Sequence, residues 1–340
     1  SPLEPKHPVY EFTHSEWAIP LTSTAPWKWI PCIFSELQNF TTRKEMSYSD
    51  GSFNFTVTNR RQPFQYAIFS GGTLQPTLLA QSSALSFDDA ETPMHRHIAR
   101  TIDPRTMQVS WVSAQPSSSA AQPVVQWGTT SGNLTEATNA VTTTYNPDDL
   151  CGSPAQDVGF VDPGYFHTAE IGGSAEGGAE VFYRVGSEAS GWSEQESYVA
   201  FDSHRNTTRA LLTADMGITY EDHSLYHWQC PRALATATHM RLMGINQDST
   251  IAADLALHLG DISYGTGYLN KWDRFMETIE PLASRMPYMT VKGNHERDWP
   301  NSGLEGAFAD NKDSGGECGV PTDLRFTMPT AAGEVSQDEG

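Results

Sequence analysis

The stretch from Leu255 to Trp299, LALHLGDISYGTGYLNKWDRFMETIEPLASRMPYMTVKGNHERDW, constrains this chain more than any other. Leu255, Leu257 and Leu259 form a short apolar run that breaks at Gly260-Asp261, and Tyr288 to Val291 form a second that breaks at Gly293-Asn294-His295. Between them Trp272, Phe275, Met276, Ile279 and Leu282 recur at helical spacing, the signature of a helix laying one face on a sheet. The unit reads as βαβ, so its strands are expected to be parallel with a right-handed crossover. Loops at the carboxyl ends of such strands are where open α/β sheets build their sites.

A third strand feeds the same rim. The run Ala210 to Ala214 closes on Asp215-Met216-Gly217, and a helical stretch (Leu234, Thr238, Arg241, Leu242, Ile245) leads on to the strand that carries Asp261. The rim therefore receives Asp215, then Asp261 with Tyr264, then Asn294 with His295. Oxygen donors gathered in this way suit a hard, highly charged cation. A phenol of ordinary pKa near ~10 becomes a ligand most readily on a strongly acidic ion such as Fe(III).

The motifs Asp215-Met216-Gly217, Gly260-Asp261-Ile262-Ser263-Tyr264 and Gly293-Asn294-His295-Glu296 resemble the first three motifs of the purple acid phosphatases, within the calcineurin-like metallophosphoesterases. Residues 295–303 and 312–321 are similar to the plant nucleotide pyrophosphatase/phosphodiesterase-type members. The resemblance implies that Asp215 and Tyr264 ligate Fe(III), that Asp261 bridges, and that Asn294 binds a divalent partner (Zn, Mn or Fe). His295 is implied as the catalytic residue that contacts the substrate phosphate or protonates the leaving oxygen. The implied substrate is a small phosphomonoester, or a nucleotide pyrophosphate or phosphodiester. Ala214 departs mildly from the first motif. The larger departure is that no histidine follows His295, whereas the family pattern supplies three more. Residues 206–340 thus read as the first half of the domain, and a continuation of the chain or a second chain is expected to complete it. The competing expectation is a catalytically inactive secreted glycoprotein that keeps the fold as a structural or adhesive module.

The remainder is β-rich. Residues 1–14 read as an extended arm. Residues 15–91 carry short alternating runs (from Phe53, Phe64 and Thr77) and Trp17, Trp27 and Trp29, which suggests a β-sandwich with these aromatics in packing roles. Residues 92–203 repeat the pattern at regular spacing (Met107–Ala114, Pro123–Gly128, Ala179–Ser187, Glu196–Phe201), with a Trp in an early strand, as in immunoglobulin-like sandwiches. By resemblance both are fibronectin-III-like, and an incomplete metallophosphoesterase domain follows over 204–340. His95 and His97 share a strand face, yet a core-edge or solvated role is favoured over chelation. The loop from Lys312 to Gly316 is Gly-rich but lacks the strand and helix of a phosphate-binding loop.

Composition limits the partners. With 21 Lys+Arg against 41 Asp+Glu the formal charge is −20, which repels a polymeric phosphate backbone and argues against nucleic-acid binding. No apolar run is long enough to span a bilayer. Four sequons, at Asn39, Asn54, Asn133 and Asn206, predict N-linked glycans and a secreted chain, with a vacuolar destination the lesser alternative. Four cysteines, Cys32, Cys151, Cys230 and Cys318, are too dispersed for a metal cluster and allow three disulfide pairings.

Overall fold

A computed structural model describes residues 9–12, 30–34, 38–44, 53–56, 61, 63–70, 75–87, 91–114, 116, 122–218, 232–245, 253–303 and 312–329, with the strands before residue 61 described as backbone only. The first six strands are β1 (Val9–Phe12), β2 (Ile30–Phe34), β3 (Gln38–Lys44), β4 (Phe53–Thr56), β5 (Tyr66–Ser70) and β6 (Thr77–Gln81). They form an antiparallel β1-β4 pair and an antiparallel sheet of order β3-β2-β5-β6.

A two-sheet sandwich follows. Its strands are β7 (Met94–Arg100), β8 (Met107–Ser113), β9 (Val124–Gly128), β10 (Glu136–Asn139), β11 (Val141–Thr143), β12 (Tyr165–Ile171), β13 (Glu180–Ser187), β14 (Gly191–Trp192) and β15 (Glu196–Val199). One sheet runs β11-β12-β8-β7, and the other runs β10-β9-β13-β14 with β15 also on β13. Between them lie Ile98, Val109, Trp111, Val125, Val181, Tyr183 and Val185, all buried. Every residue of β8 is buried rather than alternate ones, because its outer face is covered too. Val112, Tyr145, Leu150 and Phe166 form a second cluster with Val320 and Leu324 from the segment after the third motif.

The last part contains β16 (Ala210–Thr213), α1 (Ala233–Ile245), β17 (Leu255–Leu259), α2 (Leu269–Ala283), β18 (Tyr288–Val291), α3 (Asn294–Arg297) and α4 (Val320–Arg325). The three strands are parallel in the order β16-β17-β18, as the βαβ pattern requires. The stripe expected on α2 is the one buried: Trp272, Phe275, Met276, Ile279 and Leu282 are all at 2% exposure or less. The stretch from Leu234 to Ile245 that reads as helical lies within α1. Ala233, Ala237 and Met240 face the core, while Leu242 is 62% exposed. Small residues win there because α1 approaches α2 closely; a Cβ at Gly244 would fall 2.9 Å from Leu282 Cδ1 and 2.7 Å from Met286 Cε.

Of the two places expected for His95 and His97, core edge or solvent, the structure gives the first: both are buried. His97 lies between backbone carbonyls, its Nδ1 2.9 Å from His95 O and its Nε2 2.6 Å from Arg325 O. His95 faces the buried Arg61–Asp273 ion pair, 3.9 Å from the carboxylate, and burial depresses its pKa to about 3. Both residues join the sandwich to the α/β part, His97 through Arg325 O and His95 through its N–H to Glu280 Oε2 at 2.9 Å.

The junction is closed covalently. Cys151, after the sandwich turn at 147–149, is bonded to Cys318. Backbone hydrogen bonds run alongside, from Cys151 N to Gly316 O at 2.8 Å and from Ala155 N to Gly315 O at 3.0 Å. A Cβ at Gly316 would fall 2.1 Å from Gly152 O, so the two backbones touch only because no side chain intervenes. Cys32 lies in β2, and Cys230 is outside the described residues. Beneath the disulfide Glu317 is buried, accepting from Gly267 N at 2.8 Å and from Trp272 Nε1 at 3.0 Å. Burial raises its pKa from 4.5 to about 8, and those two donors oppose the rise.

Two outcomes follow from this junction. The disulfide closes a sequence separation of 167 residues, so Cys151→Ser is expected to remove about 2–4 kcal/mol of stability. In urea unfolding, reducing agent should lower the midpoint of the wild type and leave that of the variant unchanged. For Glu317 the folded state binds its proton more tightly than the unfolded state, so its contribution to stability falls as pH rises from about 4.5 to about 8. Denaturation midpoints across that window should decline more steeply for the wild type than for Glu317→Gln, which keeps the acceptor oxygen without the titration.

Candidate metal centre

After Thr213, Leu259 and Val291 the three parallel strands turn out of the sheet side by side. Their first turns hold Asp215 (φ 53°), Asp261 (φ 48°) and Tyr264 (φ 52°), all in the left-handed region that ordinary side chains avoid. Three such residues on one rim mark a site where the scaffold holds backbone against its preference. The loops are cross-linked by Asp215 N to Gly260 O at 3.3 Å and Gly217 N to Ile262 O at 2.9 Å. The glycines of the second and third motifs are dictated by contact. A Cβ at Gly260 would lie 2.8 Å from Gly293 Cα, and one at Gly293 would lie 2.1 Å from Asp261 Oδ1.

One carboxylate braces this arrangement. Glu296, in the single turn of α3, accepts from Asp261 N at 2.9 Å, Ile262 N at 2.7 Å and Gly293 N at 2.9 Å. It is fully buried, and burial raises its pKa, while the three backbone donors pull the other way. Glu296 thus ties the second motif to the third. The sequence draws attention to Asn294 and His295 as chemistry-bearing and passes over the residue after them. The signal available is the single acidic residue at the end of the motif.

The side chains converge as expected for four of the named residues. Tyr264 donates its phenolic hydrogen to Asp215 Oδ1 at 2.8 Å, with Asp261 Oδ2 at 3.4 Å. His295 N donates to Asp261 Oδ1 at 3.2 Å, and the His295 ring lies 4.6 Å from that of Tyr264. Asp261 has a raised pKa, first through burial and further through the charge of Asp215, against the pull of His295 N–H and Tyr264. Asn294 is turned by a bond from its Nδ2 to Asp313 Oδ2 at 2.8 Å, which leaves the carbonyl oxygen as the donor atom of the amide. His295 Nδ1 lies 3.1 Å from Asp313 O; a carbonyl only accepts, so Nδ1 carries the proton and Nε2 is the working nitrogen. The Gly-rich loop at 312–316 is thus no phosphate cradle, but through Asp313 it orients both residues of the third motif.

Other residues take structural roles. His258 is buried, bonded through Nδ1 to Tyr288 OH at 2.8 Å, with its pKa lowered by burial to about 4. Arg297 pairs with Asp298 at 3.1 Å. Tyr268 opens α2 instead of joining the rim. His223 and His227 are outside the described residues. The sequons at Asn133 and Asn206 are exposed, and those at Asn39 and Asn54 lie in β3 and β4.

The donor set fits the oxygen half of a metal pair: two carboxylates share one phenolic hydrogen, and Asn294, the residue before the His295 N–H that reaches Asp261, adds an amide oxygen. Among the described residues no group of three or more His, Cys, Asp and Glu could hold a metal ion, since the third and fourth donors here are a phenol and an amide. The nitrogen ligands of the family pattern have no counterpart after His295.

Strand-tip oxygen donors on a parallel sheet, joined to an antiparallel sandwich, define the scaffold of a calcineurin-like phosphoesterase. A model of that family matches residues 208–332, and a model of the purple acid phosphatase N-terminal domain matches residues 93–200. Across both segments the chain is similar to the purple acid phosphatases. A protein of Arabidopsis thaliana named "Probable inactive purple acid phosphatase 1" is 35% identical over 296 residues, 86% of this chain and 47% of that protein. A "Nucleotide pyrophosphatase/phosphodiesterase" of Hordeum vulgare is 50% identical over 76 residues, 22% of this chain and 20% of that protein. The structure of a purple acid phosphatase isolated from yellow lupin (Lupinus luteus) seeds matches with a TM-score of 0.76 and 31% identity, over 90% of this chain and 57% of that one. The chain spans about half the length of the curated relatives it matches most extensively.

Exchanging Glu296 for Gln replaces one acceptor oxygen by a donor that must face backbone N–H groups. Glu296→Gln is expected to lose about 1–3 kcal/mol of stability. Hydrogen exchange at the amides of Asp261, Ile262 and Gly293 should rise more than exchange in the sandwich.

Proposed function

We propose that this chain carries the oxygen-ligand half of a secreted dinuclear-metal phosphoesterase, acting on phosphomonoesters or on nucleotide pyrophosphate or phosphodiester bonds. The observation that supports this best is the rim itself: Asp215, Asp261 and Tyr264 held in left-handed backbone with their oxygens converging. Asp215 and Tyr264 would hold Fe(III), Asp261 would lie between the two ions, and Asn294 Oδ1 would hold a divalent Zn, Mn or Fe. When bound, the pair supplies Lewis acidity at the phosphoryl group and activates water for in-line attack. The chain's own part is positional. Asp313 fixes the amide of Asn294 and keeps His295 Nδ1 protonated, so that His295 would protonate the departing alkoxide from Nε2 in its imidazolium form, returning to the Nδ1–H tautomer.

A feature of the sheet supports completion of the site by further sequence. Leu212, Leu259 and Val291 are 65%, 54% and 54% exposed, an apolar face on a parallel sheet of a kind normally covered on both sides. Sequence packed against that face is the natural source of the absent nitrogen donors.

A second reading has its own support. Relatives matched over most of this chain carry the word "inactive" in their names. On that reading the fold serves as a secreted structural or adhesive glycoprotein module.

Hydrolysis of mono- and bis-(p-nitrophenyl) phosphate, together with metal analysis, decides between them in the whole protein that contains this chain. The enzyme reading expects about two metals per chain and a loss of at least ~10²-fold in kcat on Asp261→Ala, the scale of removing one charge-stabilising group. Metal-free protein whose rate equals that of Asp261→Ala would establish the inactive module.

A further inference from the structure

A second cleft lies on the sandwich, at the edge of the sheet that carries β9, β13 and β14. It encloses about 590 Å³ and is lined by Gln126, Asn133, Arg184, Trp192, Glu194 and Gln195 among others, a volume in the range of small-ligand sites. The lining is polar around one aromatic. The Arg184 guanidinium lies 4.6 Å from the centroid of the half-exposed Trp192 ring and is held by Nε to Gln126 Oε1 at 2.9 Å. Both terminal nitrogens of Arg184, the indole N–H of Trp192 and the amide nitrogen of Gln126 have no partner among the described residues.

One wall of the cleft is a tight turn pinned in place. Asn133 N donates to Thr130 O at 3.0 Å, Gly132 N donates to Gln195 Oε1 at 3.0 Å, and Gln195 Nε2 donates to Ser131 Oγ at 3.1 Å. The Asn133 side chain is exposed and makes no hydrogen bond among the described residues. It is also the first residue of Asn133-Leu134-Thr135, a glycosylation acceptor.

We propose that this cleft seats the first N-acetylglucosamine of a glycan carried by Asn133. A hexose ring has an apolar C–H face and a polar rim, and an indole with planar donors around it matches both. The sugar's ring face packs on Trp192, and its acetamido carbonyl and hydroxyls accept from Arg184 and Gln126. A glycan rooted in the wall of the cleft has almost no translational freedom left to lose, so contacts too weak to capture a free sugar suffice.

The test uses the full chain with a supplied secretion leader in a eukaryotic host, which makes it independent of the native destination. The exposed sequon at Asn206 reports whether the chain is glycosylated at all. Peptide mass spectrometry is expected to find Asn133 occupied. Trimming to a single N-acetylglucosamine should leave the sandwich melting temperature unchanged, whereas Asn133→Gln should lower it by roughly 2–4 °C. In a Trp192→Ala background the Asn133→Gln change should have no effect, and in Trp192→Phe, which keeps an aromatic in the fold, a reduced one. A bare Asn133 beside an occupied Asn206 overturns the proposal. So does an Asn133→Gln penalty of equal size with and without Trp192, or a gain that disappears when only the outer sugars are trimmed.

Discussion

The whole rim depends on one buried carboxylate receiving three backbone N–H groups. Asp261 and Gly293 belong to different strands, and nothing in a parallel ladder holds the loops beyond the strand ends together. Glu296 does this from α3, with acceptor distances of 2.7–2.9 Å. A neutral side chain could not satisfy the three donors equally well, and an apolar one would leave them buried and unpaired. The glycines at 260 and 293 are consequences of the same brace, since loops drawn so close leave no room for a Cβ. The left-handed backbone at Asp261 is tolerated for the same reason: its N–H is already fixed.

A second constraint acts from the sandwich side. The segment after Gly152 is inserted against the loop that carries Tyr264, where a Cβ at Gly159 would fall 2.0 Å from Gly267 O. The Cys151–Cys318 bond and the Glu317 carboxyl secure that contact. Lys271 completes it, donating from Nζ to Tyr264 O at 3.0 Å and Thr266 Oγ1 at 3.1 Å. The sandwich is therefore part of what positions the tyrosine of the rim. Moving the phenol by about an ångström would take it out of reach of Asp215 or Asp261.

What is legible in the sequence divides along physical lines. Patterns repeated over a whole element can be read directly: the α2 stripe, the parallel strands, and the sandwich runs from Met107 to Val199. The strand-tip donors are equally plain, because a glycine and an oxygen donor at the end of an apolar run end the strand and present a polar atom at its tip. Contacts between distant segments leave no such trace. The Glu296 brace, the bond from Asp313 to Asn294 and the Cys151–Cys318 pairing each join residues whose proximity only the fold creates. On α1 hydrophobicity points to the leucines, whereas close helix approach selects alanine and glycine. The sequence leaves His95 and His97 between a core-edge and a solvated place because their burial comes from Arg61, Asp273 and Arg325, all outside their own strand.

The rim also shows why its chemistry and its stability pull in different directions. Two carboxylates brought within reach of one phenol repel each other, and burial makes the charge on Asp261 harder to sustain. The phenolic hydrogen shared between Asp215 and Asp261 moderates that repulsion. A hard cation meets the same need more strongly and to more oxygens at once. The scaffold therefore gathers negative charge that the phenol only partly offsets. The left-handed turns, the glycine contacts and the buried Glu296 hold the oxygens in place, so the geometry of the rim is set by backbone contacts and not by the carboxylates' own repulsion.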